Sequence, residues 1–228
     1  KYVSFIIIPA SLALGVFSSD VVNILYGSLY GTASSYLSLY ILRFLSAGMG
    51  GFVIGPFING QGYTRISLKI TLIGFASSIL FALLLTPLYG VYGLIASILL
   101  SELVSTIYAL HTIRQNFELK VELAPSLKIL AASLLSTLPV YIFHILIKPI
   151  NATYSLVFGG FLYVFSFIVS APLVGAINNE DVVSLKRLTE ELPFLRIIAV
   201  YVLGIEKKVL SLKRSLSVNT TKASLSGS

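Results

Sequence analysis

The sequence predicts an all-α fold: a polytopic membrane helix bundle of six transmembrane helices plus a cytoplasmic amphipathic C-terminal helix. Three observations predict it. Of the 228 residues, 56% are hydrophobic and only 11% are charged, and mean hydropathy is +0.93, whereas a soluble domain carries about 25% charged residues to keep its surface wet. Six apolar stretches each approach the ~20 residues that cross a hydrocarbon core as helix. The basic residues gather on alternate connections, which is a topology signal. The same figures exclude a soluble globular domain and a disordered chain. No segment alternates apolar and polar residues over the length of a barrel strand, so a membrane barrel is excluded too.

The expected spans run roughly over 2–26, 33–59, 66–86, 90–113, 127–147 and 154–177. Gly and Pro punctuate the breaks. Gly27-Ser28-Leu29-Tyr30-Gly31-Thr32 ends the first span, and Asn59-Gly60-Gln61-Gly62 ends the second. Pro87-Leu88-Tyr89-Gly90 ends the third, and Lys148-Pro149-Ile150-Asn151 separates the last two. Only the connection over 114–125 is longer. It divides a four-helix part, residues 1–115, from a terminal pair over 126–177. Residues 178–228 form a tail. There Pro193 opens a stretch whose apolar run, Ile197 to Ile205, is too short to span, and whose continuation to Leu216 is basic and amphipathic. Such a segment is expected to lie on the cytoplasmic face against anionic lipid. The chain begins at Lys1 without a signal-peptide pattern and is read as the remainder of a longer protein.

Charge sets the expected orientation. With Lys1 inside, the cytoplasmic connections hold Arg65, Lys69, Arg114, Lys120 and Lys128, and the tail holds Lys186, Arg187, Arg196, Lys207, Lys208, Lys213, Arg214 and Lys222. The external side keeps only Lys148, and Arg43 lies within a span. This bias follows the positive-inside rule and accounts for the net charge of +7 without nucleic acid as a partner. Tyr26, Tyr30, Tyr89, Tyr92 and Tyr154 fall at the external ends, where aromatic rings suit the interface. Asn151-Ala152-Thr153 is an external glycosylation sequon, and Asn219-Thr220-Thr221 is a cytoplasmic one.

Two stretches carry a resemblance. Pro9 to Gly15 precedes the exit Leu25-Tyr26-Gly27-Ser28-Leu29-Tyr30, and Pro87-Leu88-Tyr89-Gly90-Val91-Tyr92-Gly93-Leu94-Ile95-Ala96 forms a hairpin pattern. Both resemble the polysaccharide-biosynthesis (Wzx-type) flippases of the multidrug/oligosaccharidyl-lipid/polysaccharide exporter superfamily, over roughly the first 115 residues. The resemblance implies that this is the C-terminal half of such a transporter. It implies that about eight helices precede it, that 1–115 belongs to the C-terminal transporter lobe, and that the last two spans are an extra terminal pair. The implied cargo is a lipid-linked oligosaccharide, a polyprenyl-diphosphate glycan, moved across the plasma membrane by alternating access. No residue role is carried over from the family.

Three ionisable residues fall within spans: Asp20, Arg43 and Glu102. An intramembrane charge normally faces a partner or a wet cavity. At 1.5 Å per residue, Arg43 lies roughly 15 Å and Glu102 roughly 18 Å below the external ends of their helices, so the two can meet at mid-membrane. A guanidinium there suits a diphosphate or an acidic sugar, with Glu102 tuning it or exchanging a proton. The alternative is a structural ion pair. Asp20 lies near the outer end, where it can reach interfacial water. Ala47, Gly51 and Gly55 form a small-xxx-small stripe for close packing, and Gly55-Pro56 weakens the helix as a bending point. His111 and His144 sit at opposite ends as interfacial tips.

With no cysteine, no phosphate loop and no nucleophile–base arrangement, an enzyme, a metal site and a cofactor are not expected. Gly48-Met49-Gly50-Gly51 lies within a span rather than in a phosphate-binding loop. The nearest rival is a drug or metabolite cation antiporter of the same superfamily. A membrane-embedded glycan polymerase or ligase would need large charged external loops. A non-transporting scaffold subunit is the remaining alternative.

Overall fold

The computed structural model describes residues 2–117, 123–147 and 151–176, and every regular element among them is helical. The expected cytoplasmic helix and tail, Lys120, Lys148 and the sequon at Asn219 lie outside the described residues. The elements are α1 (Tyr2–Val16), α2 (Ser18–Tyr26), a 3-10 turn (Ser28–Tyr30), α3 (Gly31–Tyr40), a 3-10 segment (Ile41–Met49), α4 (Gly51–Gly60), α5 (Thr64–Phe117), α6 (Leu123–Ile147) and α7 (Ala152–Val174). Helices α5, α6 and α7 are long and apolar enough to cross a membrane. The first two expected spans are each broken, into pairs bent by 68° at Phe17 and by 52° at Gly50.

At 54 residues, α5 would be about 80 Å long if straight, far beyond a bilayer. It doubles back instead. Gly90 adopts φ 56° and ψ −131° just after Pro87, a conformation open to glycine because it has no Cβ. The arms 64–89 and 91–117 then pack side by side. Gly93 lies so close to the carbonyl of Leu85 that no side chain fits, and a Cβ on Gly74 would meet Ser105 at 3.2 Å. Ser105 Oγ also approaches the carbonyl of Ile70, at 3.4 Å.

Contact register shows how the rods run. Tyr36 meets Tyr92, and Ser46 meets Glu102, each 56 residues further on, so the second rod is parallel to arm 91–117. Ser4 bonds the carbonyl of Ala47, whereas Ser18 bonds Ser38, so the first rod is antiparallel to the second. Ile8 packs with Ile129 and Ala132, and Phe17 with Val140, so α6 runs parallel to the first rod. The ring of Phe5 packs at a tilt against Phe167, and Asp20 meets Ser155, so α7 is antiparallel to it. Direction therefore alternates along the chain among the described residues. Arg65, Lys69, Arg114 and Lys128 collect at one end, while Tyr26, Tyr30, Tyr89, Tyr92 and Tyr154 collect at the other.

The bend at Phe17 has a packing cause. Its ring is buried beside Val140 and Tyr163 and lies over Gly159, where a Cβ would come within 2.6 Å of it. Ser38 Oγ donates to the carbonyl of Ser34 at 2.9 Å and accepts from Ser18 Oγ at 2.6 Å, which ties α2 to α3 beside the bend. At the second break, Gly50 takes φ 84°, again a glycine conformation. The bending point thus lies at Gly50, six residues before the expected Pro56, which α4 accommodates internally. Gly48-Met49-Gly50-Gly51 is correspondingly a helix break rather than a helix interior.

Apolar residues and small hydroxyl side chains share the interior, and the helix surfaces are apolar too. The buried polar side chains are serines and Thr106, among them Ser4, Ser97, Ser133, Ser136 and Ser155. Many large apolar side chains are exposed along the helices, with Phe161 74% and Leu146 75% exposed, while the exposed cations Arg65, Lys69, Arg114 and Lys128 gather at one end. Lipid solvates apolar surface as well as a protein interior does, so helices associate through small residues and hydroxyls.

Candidate functional site

Arg43 and Glu102 come together. Arg43 sits on the 3-10 segment, nine residues long, where such runs rarely exceed three or four. Glu102 projects from arm 91–117 beside it. Arg43 Nη2 lies 3.9 Å from Glu102 Oε2, close enough to attract but too far for a hydrogen bond. Glu102 Oε1 instead accepts from Ser46 Oγ at 3.2 Å. Arg43 Nη1 donates to Tyr40 Oη at 2.6 Å, and the guanidinium carbon lies 5.4 Å and 5.7 Å from the ring centres of Tyr40 and Phe44. Both rings lend cation–π attraction. About a third of each charged side chain stays exposed. The fork is therefore oriented yet keeps most of its five N–H donors uncommitted.

A cleft of about 110 Å³ with a mixed polar and apolar lining adjoins Glu102. Glu102, Ser67, Thr71, Ser105 and Thr106 line it, together with Gly51 and Gly55. From Glu102 it extends along α5 toward the end that holds Arg65, Lys69 and Arg114. The expected stripe is divided by the break at Gly50. Ala47 is buried against Ser4, whereas nothing lies within 4 Å of a Cβ built on Gly55. Both Gly51 and Gly55 line the cleft, but only Gly55 leaves open space there, since a Cβ on Gly51 would meet Ser46 at 3.0–3.3 Å.

Asp20 does not simply reach outward. Its Oδ2 accepts from Ser155 Oγ at 2.6 Å, and His144 Nε2 lies 3.2 Å from the same oxygen of Ser155. Residues from α2, α6 and α7 thus share one buried hydroxyl. His111 lies toward the basic end. Among the described residues, no three His, Cys, Asp or Glu side chains group as metal ligands. Sequence reasoning missed Ser46, Tyr40, Phe44 and Ser155. Tyr40 was findable from its i, i+3 spacing to Arg43, but Ser155 lies 135 residues from its partner and carries no local signal.

No family profile matches the chain, and no solved structure matches it. Over 94 residues it is 31% identical to an uncharacterized membrane protein of Methanocaldococcus jannaschii. That stretch covers 40% of this chain and 18% of that protein, so the chain spans less than a fifth of the curated relative it matches. This is a membrane protein. Its apolar helices, their exposed apolar surfaces and this relative agree on that.

Proposed function

We propose that the chain is part of a transporter that flips a lipid-linked oligosaccharide across the plasma membrane, with six passes and the basic end in the cytoplasm. The flippase-like motifs around Pro9, Tyr26, Pro87 and Tyr92 support the reading, as do the six alternating rods. In this reading the hairpin at Gly90 divides α5 into two passes, and the two bent pairs make one pass each. The tail would be a cytoplasmic helix drawn to anionic lipid. The observation that carries the proposal is Arg43. An intramembrane guanidinium, held by Tyr40, Phe44 and a Glu102 that is too distant to take its hydrogen bonds, can present two parallel donors to a phosphate.

The preceding helices of the complete protein would supply the opposite wall of the pathway. This chain by itself would not form one. In proteoliposomes of the complete protein, Arg43→Ala should abolish transfer of a polyprenyl-diphosphate glycan, and Arg43→Lys should retain part of it, since an ammonium lacks the fork. Unchanged transfer in a folded Arg43→Ala protein would refute the role.

One observation favours a second reading, a small-cation antiporter. The cleft is small, about 110 Å³, and its charge is the carboxylate of Glu102 among hydroxyls. Uptake of labelled glycan-lipid, measured beside efflux of a small organic cation, separates the two.

A further inference from the structure

We propose that Asp20, Ser155 and His144 form a proton-exchange site at the tyrosine-rich end, in which the buried hydroxyl of Ser155 relays a proton between the imidazole and the carboxylate. The site does not depend on what the protein transports.

The argument starts from one hydrogen. Ser155 is 1% exposed, so water does not compete for its hydroxyl. That hydroxyl has one proton and gives it to Asp20 Oδ2 at 2.6 Å. His144 Nε2, at 3.2 Å from the same oxygen, must then bring a proton of its own, because a hydroxyl oxygen has lone pairs to accept one. Asp20 and His144 are each partly exposed, so both ends of the chain of bonds can meet the interface while its middle stays dry. The ring of His144 is held beside Phe17 and Phe143, with centroids 6.1 Å and 6.0 Å away, which limits its rotation.

The transfer balances as follows. A proton from the interface binds Nδ1 of neutral His144 and makes an imidazolium. The Nε2–H bond breaks as a proton reaches Ser155 Oγ, and the original Ser155 O–H bond breaks as its proton reaches Asp20 Oδ2. The result is a neutral Asp20, an unchanged Ser155 and a neutral His144 with its hydrogen on Nδ1. Both hydrogen bonds survive with reversed direction, so geometry need not change. Among the described residues, the other titratable groups on the packed elements at this end are phenols: Tyr26 on α2, Tyr30 in the turn, Tyr141 on α6, and Tyr154 and Tyr163 on α7. Tyr2, Tyr36 and Tyr40 lie further along α1 and α3, and Lys128 is at the opposite end of α6. Among the described residues, no other carboxylate or imidazole shares the corner.

The test is infrared difference spectroscopy of the full chain in lipid nanodiscs, taken between about pH 8 and about pH 4. Acidification should produce a protonated-carboxyl band that Asp20→Asn removes and Glu102→Gln leaves. Ser155→Ala should shift the frequency of that band, and Ser155→Thr should restore it. Helix content by circular dichroism identifies any variant that fails to fold. Should Asp20→Asn fail, carboxyl-¹³C aspartate in an Asp181→Asn chain gives the assignment, since Asp20 is then its one aspartate. A carboxyl that merely reaches water would also protonate, but without sensitivity to Ser155. A band that persists in Asp20→Asn, or is unmoved by Ser155→Ala, overturns the proposal.

Discussion

Exchanging the charges of Arg43 and Glu102 separates what the pair does for folding from what Arg43 does for cargo. At 3.9 Å and an effective dielectric of about 20, two unit charges attract by about 4 kcal/mol. That is a ceiling. The side chains are 34% and 31% exposed, and no hydrogen bond joins them, so screening reduces the coupling to about 1–2 kcal/mol. Glu102→Gln and Arg43→Met should each lower stability by about that amount, and the double variant should cost less than their sum by the same coupling. Arg43→Glu combined with Glu102→Arg should recover most of the stability. It should not recover transfer of a diphosphate-linked cargo, because the cation then sits on α5, away from the rings of Tyr40 and Phe44. Thermal unfolding in detergent at two salt concentrations measures the coupling, and proteoliposome transfer measures the cargo role. Additivity within about 0.3 kcal/mol would show that the two charges do not feel each other. Full transfer by the exchanged protein would show that the place of the cation is irrelevant.

Three further predictions rest on packing and topology. Gly159→Ala puts a Cβ 2.6 Å from Cε1 of Phe17, a ring buried beside Val140 and Tyr163. It should cost about 1–3 kcal/mol in thermal unfolding, and Phe17→Leu in the same chain should relieve part of that; unchanged stability would deny the close approach of α2 and α7. Gly90→Ala forces a side chain to φ 56° and ψ −131° and should cost about 1–3 kcal/mol, with no loss expected if α5 were one straight helix. The chain has no cysteine of its own. Single variants Lys69→Cys and Lys128→Cys should therefore react with an impermeant maleimide from one side of the membrane and Tyr154→Cys from the other, whereas labelling of Lys69 and Lys128 from opposite sides would break the alternation.

The rods were legible and their bends were not, for a physical reason. Bilayer thickness sets a length that any apolar stretch can be measured against, and Pro87-Leu88-Tyr89-Gly90 names its own turn. The 68° bend at Phe17 depends instead on Gly159, Val140 and Tyr163, which arrive more than 120 residues later. Nothing local distinguishes Phe17 from any other apolar residue. The 3-10 segment is equally silent, since Ile41 to Met49 has an ordinary helical composition. Arg43 and Glu102 could be paired beforehand because two charges at equal depth in lipid have few other partners. The depth count is insensitive to neutral hydroxyls, so it could not find Ser46 or Ser155.

Those hydroxyls also explain why the charged pair matters more to the architecture than its modest coupling implies. Along α6, Ser133 and Ser136 bond the carbonyls of Ile129 and Ala132 in their own helix. Ser136 additionally meets Ser170 of α7 at 2.9 Å. A serine that can fall back on its own backbone loses little when a neighbouring helix shifts, and lipid replaces any apolar contact given up. Such seams permit sliding. Arg43 can fall back on Tyr40 and Phe44 of its own stretch, but Glu102 has no partner on its own helix, and a charge left alone in hydrocarbon costs about 2.5–3.5 kcal/mol on insertion scales. The 3-10 segment is thereby tied to arm 91–117 by a charged contact and by the Ser46–Glu102 hydrogen bond. A cargo phosphate is the kind of group that could replace Glu102 as the partner of Arg43. In the proposed transport reading its arrival would loosen that tie without stranding the guanidinium, and the break at Gly50 lies about two turns away to take up the movement.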